Sequence, residues 1–268
     1  MGELVFVGLG LFDHHDISVH GLNEVKEADF VFAEFYTNLM AGLSLDSFEE
    51  EVGKRVTVVS RKMLEDENGE QVLQKAEGGR VAFLVPGDPL IATTHVDLRI
   101  RAERRGIRTR LIHGASIISA VIGLSGLQNY RFGRSVTIPF PEGGSFSETP
   151  YTVIAENKAR NLHTLCFLDI QAEKKRYMTI NETLKLLLGL EEKRKRRIVT
   201  LDTLAVGAAR VGAVDASVRA EKVRHLIRFD FGGPPHVLVM PSEKLHFMEA
   251  EALITFTQGP EWVREMAQ

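Results

Sequence analysis

The feature that most constrains this chain is a run of short, continuously apolar segments alternating with helix-like segments over its first 113 residues. Leu4 to Val7 ends at Gly8, Phe30 to Ala33 follows, then Val56 to Val59 and Val81 to Val85, and Arg108 to Ile112 is read as a fifth strand. Strands without polar alternation must be covered on both faces, which is the habit of parallel sheets flanked by helices. Between them, Ser18 stands as an N-cap ahead of Val19, Leu22 and Val25 at helical spacing, and Leu45 to Val52 reads as helical. His95 to Glu103 alternates apolar and polar like a strand. A helix is predicted instead: Thr93 and Thr94 can cap it, arginines crowd its last turn, and Gly106 sits where a helix ends. Parallel neighbours also need a crossover there.

The second half changes character. Ile117 to Leu124 is predicted as an apolar helix with Ser116 available as cap. Strands are predicted at Val136 to Ile138, Leu165 to Ile170, Leu204 to Ala208 and Val237 to Met240. Ile180, Leu184, Leu187 and Leu188 mark an amphipathic helix. Leu245, Met248, Ala252 and Phe256 mark a closing one. The expected organisation is two α/β domains, 1–113 and 114–268, joined by a short linker with a cleft between them.

At 268 residues, with 44% hydrophobic and 26% charged residues, the chain is neither disordered nor short of core. A net charge of −3 argues against a dedicated nucleic-acid binder. The single cysteine, Cys166, falls in an apolar strand and reads as a buried reduced thiol, which suits a cytoplasmic protein. No apolar run is long enough to cross a bilayer, and the strand-like start lacks the basic region of a signal peptide.

Four turns are candidates for chemistry. Gly8-Leu9-Gly10-Leu11-Phe12-Asp13 closes the first strand and lets a ligand approach backbone, but Asp13 stands where a dinucleotide fingerprint needs its third glycine. An ordinary βα turn explains it as well. Pro86-Gly87-Asp88-Pro89 closes the fourth strand, at the end where open parallel sheets bind ligands. Asp88, held before a proline, can accept from ribose hydroxyls or an ammonium, or simply serve its own turn. Gly114-Ala115-Ser116-Ile117 presents small residues and a hydroxyl, or merely caps a helix. Gly232-Gly233-Pro234-Pro235-His236 opens a strand, and His236 could offer backbone or imidazole to a ligand or be structural.

Arg99, Arg101, Arg104, Arg105, Arg108 and Arg110 read as solvated faces, with Glu103 interleaved. Lys193 to Arg197 (KRKRR) reads either as a charged connector or as a docking surface for an acidic macromolecule. Zinc-site spacings, the G-x-S-x-G elbow and the GxxxxGK[ST] phosphate loop are all missing.

Taken in order, GLGLFDHHDI, FVFAEFYT, FLVPGDPLIATTH, HGASIISA, LHTLCFLDI and FGGPPHVLVMP resemble the tetrapyrrole-methylase-like (class III) methyltransferases along essentially the whole chain. Within that family they resemble the branch that acts in diphthamide biosynthesis. The resemblance implies two α/β domains with S-adenosylmethionine folded into the cleft between them, and a homodimer. It implies methylation, three times in archaeal members, of the amino nitrogen of an aminocarboxypropyl-histidine in translation elongation factor 2, with S-adenosylhomocysteine released. No nucleic-acid or membrane partner is implied. Carried over position by position, the cofactor contacts fall on Leu11, Asp88, Ile91, Ser116 and Ile117, and on Leu168, Ala209 and His236. Methyl transfer expels a neutral leaving group, so alignment rather than acid catalysis carries it. The attacking amine must be neutral, and no base is assigned. Glu34, Tyr36 and His95 are polar residues of the matching runs, each equally explicable as structural. Two other readings stay open: a corrin or porphyrin-precursor methyltransferase of the same fold, and a factor- or ribosome-associated binding module using KRKRR.

Overall fold

A computed structural model describes residues 2–268. The chain divides into two compact units: Met1–Ile117 together with Ala172–Lys175, and Ile118–Gln171 together with Arg176–Gln268.

The first unit contains strands β1 (Glu3–Gly8), β2 (Phe30–Ala33), β3 (Val56–Val58), β4 (Arg80–Val85) and β5 (Arg108–Ile112). Helices α1 (Val19–Glu27), α2 (Leu45–Val52), α3 (Arg61–Glu65), α4 (Glu70–Gly78) and α5 (His95–Arg104) connect them. The sheet order is β3-β2-β4-β1-β5, and every pairing is parallel. The continuous apolar runs are explained by two cores, one on each face. Leu4 and Phe6 of β1 join Val81, Phe83 and Val85 of β4 against Val72, Leu73 and Ala76 of α4 and Leu98 and Ala102 of α5. Val5 and Val7 join Ala82 and Leu84 against Val25 of α1 and Phe48 and Val52 of α2. A strand read by both cores has no position for a polar side chain.

Local signals behave mostly as their chemistry dictates. Ser18 accepts the Gly21 N–H at 3.0 Å and starts α1. His95–Arg104 is a helix despite its alternation, and Gly106 follows it at φ +75°. Its start differs from expectation. The hydroxyl of Thr94 makes no cap hydrogen bond, reaching Glu65 Oε1 at 3.2 Å instead, while Thr93 donates to the Pro89 carbonyl at 2.8 Å.

Helix α6 (Ile117–Ser125) starts on the last residue of the first unit's Met1–Ile117 segment; the second unit holds the rest of it and β6 (Val136–Ile138), α7 (Thr149–Ala159), β7 (Thr164–Leu168), β8 (Ile170–Gln171), β9 (Arg176–Tyr177), α8 (Ile180–Arg194), β10 (Leu204–Ala209), β11 (Ser217–Lys222), α9 (Val223–Leu226), β12 (His236–Met240) and α10 (Phe247–Thr257). Its main sheet runs β11-β10-β12-β7-β6. Only β6–β7 is parallel; the others are antiparallel. Cys166, Leu168, Ala209 and Leu238 face a core completed by Ile154 of α7 and Ile180, Leu184 and Leu187 of α8. Cys166 is a free, buried thiol, and burial pushes its pKa up to about 12.

The closing helix turns the opposite way from its apolar pattern. Glu249, Ala250, Leu253 and Thr257 of α10 are buried, while Met248 and Phe256 are 54% and 62% exposed. The polar inner face is satisfied in full. Glu249 Oε1 accepts from Gln128 N–H and His163 Nε2, both at 2.9 Å; Oε2 accepts from His246 N–H at 2.9 Å and from Arg131. Periodicity assigns apolar residues inward, and here tertiary hydrogen bonds override it.

Candidate active site

In the first unit, three glycines bring three strand ends into backbone contact. A Cβ on Gly8 would fall 2.5 Å from the Gly114 nitrogen and 2.6 Å from the Gly87 carbonyl oxygen, and one on Gly114 would overlap that same oxygen. Only residues without side chains allow this approach. β1 is in register with both neighbours, Gly8 beside Val85 and Val7 beside Ile112, so the segments leaving β1, β4 and β5 start level. Gly10 and Gly87 then form a bridge, Gly87 N–H to the Gly10 carbonyl at 2.7 Å, both with positive φ.

This places Leu11, Asp88 and Ser116 on the segments that leave adjacent strands. Leu11 is fixed by Asp16, whose Oδ2 accepts the N–H groups of Leu11 at 3.1 Å and Phe12 at 2.7 Å. Leu11 therefore offers its side chain and carbonyl rather than its N–H. Asp88 is 9% exposed. Its Oδ2 lies 2.7 Å from Nδ1 of His113, while among the described residues Oδ1 has a long contact, 3.4 Å, from the Leu90 N–H. A carboxylate has about four acceptor sites, so capacity remains for a ligand's hydroxyls. Ile91 is 40% exposed, and Ser116 and Ile117, at the start of α6, are half-buried. A Cβ on Gly87 would meet nothing within 4 Å, so the backbone beside Asp88 is open.

In the second unit, Leu168 ends β7, Ala209 ends β10 and His236 begins β12, which runs antiparallel to both. All three thus share one end of the sheet, with Ala209 directly opposite His236. Leu168 and Ala209 are buried and apolar. The His236 ring is engaged: Nδ1 accepts the Ile180 N–H at 3.3 Å, and Nε2 donates to the carbonyls of Gly232 and Gly233, each at 3.1 Å. Burial holds its pKa below the usual histidine range. Its imidazole braces the turn.

The polar residues left without a role sit in the core. Glu34 Oε2 accepts the N–H groups of Tyr36 and Thr37, both at 3.0 Å, and Oε1 meets His95 Nε2 at 3.0 Å and the Thr37 hydroxyl. Burial, then the nearby Glu34 charge, pushes the Tyr36 phenol up to about 12. These groups hold the segment after β2. Of the arginine cluster, Arg101, Arg105, Arg108 and Arg110 are paired with Asp97, Glu70, Glu3 and Glu24 respectively, and Arg99 donates to Thr109. In KRKRR, Arg194 pairs with Glu148 and the run is exposed. Among the described residues no group of three or more His, Cys, Asp or Glu is placed to hold a metal, and no helix is long and apolar enough to cross a membrane. His113 and Asp16 were not singled out from the sequence. Each lies inside a quoted run, and the parallel order β4-β1-β5 is the signal that pairs His113 with Asp88.

Residues 3–226 match the Tetrapyrrole (Corrin/Porphyrin) Methylases, and the chain belongs to that family of methyltransferases. More particularly, it is 54% identical over 250 residues to the diphthine synthase of Methanocella arvoryzae, covering 93% of this chain and 96% of that one. It is 51% identical over 267 residues to the diphthine synthase of Methanosarcina mazei, covering 98% of each chain. A crystal structure of diphthine synthase superposes with a TM-score of 0.89 at 42% identity, covering 98% of this chain and 99% of that one.

Proposed function

We propose that this protein is a diphthine synthase. It methylates, to the trimethyl stage, the amino nitrogen of the aminocarboxypropyl-histidine of translation elongation factor 2, using S-adenosylmethionine and releasing S-adenosylhomocysteine. The observation that carries the reading is the strand-end surface of Leu11, Asp88, Ile91, Ser116 and Ile117, with one carboxylate oxygen of Asp88 left nearly unengaged, in a chain about half identical to proteins of that name.

The fit to the cofactor is chemical. Leu11, Ile91 and Ile117 suit adenine, and Asp88 Oδ1 suits ribose hydroxyls. On the second unit, Leu168 and Ala209 are buried and apolar, and His236 holds its own turn. When bound, the cofactor supplies a methyl on a sulfonium whose C–S electron pair leaves with neutral sulfur, so the protein's tasks are to orient donor and acceptor and to accept a proton. A homodimer is part of the proposal: Phe247, Met248 and Phe256 of α10 are 57%, 54% and 62% exposed, apolar surface that a second copy would cover. A cytoplasmic location fits the free, buried Cys166.

Mass spectrometry of elongation factor 2 bearing the aminocarboxypropyl-histidine, after incubation with the protein and S-adenosylmethionine, tests this. The expected result is a gain of three methyl groups on that residue. Turnover of a corrin or porphyrin precursor with no gain on the factor would overturn it.

A further inference from the structure

We infer that His113 is the proton acceptor of the reaction: its Nε2 removes the proton that the acceptor's ammonium must shed before its nitrogen can attack. The inference rests on the amine-methylating function proposed above. β5 ends at Ile112 and delivers His113 to the same strand-end surface as Gly10, Gly87 and Asp88. Its Nδ1 lies 2.7 Å from Asp88 Oδ2. An ionised carboxylate can only accept, so Nδ1 carries the hydrogen, and the uncharged form of the ring has its lone pair on Nε2. That nitrogen has no hydrogen-bond partner among the described residues, and the side chain is 74% exposed.

Among the other histidines, His20 also meets a carboxylate on an exposed ring, Glu24 at 3.2 Å, but that carboxylate is already claimed by Arg80 and Arg110. His95 and His163 are buried against Glu34 and Glu249, and both nitrogens of His236 are bonded. His15 touches Asp13 at 3.2 Å, but that carboxylate also caps the short turn after β1 through the His15 N–H. The other charges on that segment are engaged: Asp16 holds Leu11 and Phe12, and His14 meets Glu51 at 3.6 Å. Asp88 is the hydrogen-bond partner of His113.

In the step, an N–H bond of the ammonium breaks, its electron pair stays on nitrogen, and the proton bonds to Nε2. The imidazolium is stabilised by Asp88 across the existing hydrogen bond, as in other Asp–His pairs. Its exposed ring returns the proton to water. The freed pair on nitrogen forms the new N–C bond. Each methylation leaves an N–H cation until the third, so the same base serves before every transfer.

The test variant is H113N, whose side-chain amide can still donate to Asp88 but has nothing in place of Nε2. Single-turnover methylation of elongation factor 2 is followed by mass spectrometry from mildly acidic to alkaline pH, with S-adenosylmethionine affinity measured by calorimetry. The wild-type ring is examined by nitrogen NMR. The expected result is a rate roughly 10²–10⁴-fold lower near neutrality, closing at alkaline pH where the acceptor amine is already neutral. Cofactor affinity should be unchanged, and the wild-type ring should carry its proton on Nδ1. An unchanged rate, a ring protonated on Nε2, or a pH-independent deficit with weakened cofactor binding would overturn it. The last result would mean that the ring only steadies Asp88. A wild-type protein that binds S-adenosylmethionine but methylates no factor would overturn the proposed function itself, and the base with it.

Discussion

Two regions of the molecule use the same pair of functional groups to opposite ends. In the second unit, Glu249 faces His163 with both side chains fully buried, and every acceptor site has a protein donor: Gln128, His163, His246 and Arg131. Ser242 N–H donates to His163 Nδ1 at 2.9 Å, so the ring is used up as well. In the first unit, Asp88 is nearly buried but has His113 on one oxygen and almost nothing on the other, and His113 is open to solvent. A carboxylate–imidazole pair is a structural rivet where the fold supplies all its partners, and stays free for chemistry where it does not.

The largest effect that would break this contrast lies at Glu249. E249A leaves Arg131 and three other donors without their acceptor, and removing one partner of a buried charged network costs roughly 3–5 kcal/mol. Denaturant unfolding should show that loss, with activity per folded molecule retained. A cost under about 1 kcal/mol, the range of surface pairs, would mean the cluster is not a rivet.

The same residue sets a pH signature. Burial alone would raise the Glu249 pKa, but its donors, His163 first, hold it at about 2, below the ordinary carboxylate value of 4.5. A carboxylate depressed on folding stabilises the native state above its unfolded pKa, and the benefit is lost as pH falls from 4.5 through 2. The contribution at neutral pH is on the order of 3 kcal/mol. E249Q should flatten the acid limb of stability by about one proton's worth, read from unfolding at stepped pH.

At the open region the glycines separate packing from ligand access. G114A sets a Cβ against the Gly87 carbonyl and should cost about 1–3 kcal/mol. G87A meets nothing within 4 Å and pays only for its positive φ, about 1–2 kcal/mol. Calorimetry should nevertheless show that G87A loses more cofactor affinity than its stability change accounts for, because its Cβ enters the open side of the Asp88 turn.

Legibility follows the same division. The centre of the first sheet could be read because β1 and β4 are apolar on both faces, as Leu4 to Val7 and Val81 to Val85 illustrate. The edge strand Ser217–Lys222 went unread because five of its six residues are half-buried and polar types dominate. The inner face of α10 was inverted because Glu249 is satisfied by residues up to 121 positions away, and periodicity carries no such information. Asp88 was legible from its turn. His113, 25 residues later, became meaningful only once β5 was known to lie beside β1.

The smallest expected stability change sharpens the contrast most. H113N removes half of a carboxylate–imidazole pair, as E249A does, but His113 is 74% exposed and water replaces what the ring gave Asp88. Exposed pairs contribute about 0–1 kcal/mol, so unfolding of H113N should shift by no more than that. A shift comparable to E249A would show that Asp88 depends on the ring as Glu249 depends on His163, and the open pair would then be a second rivet. A small shift beside a large loss of rate would locate the difference where the donor geometry puts it, in how many partners the fold itself provides.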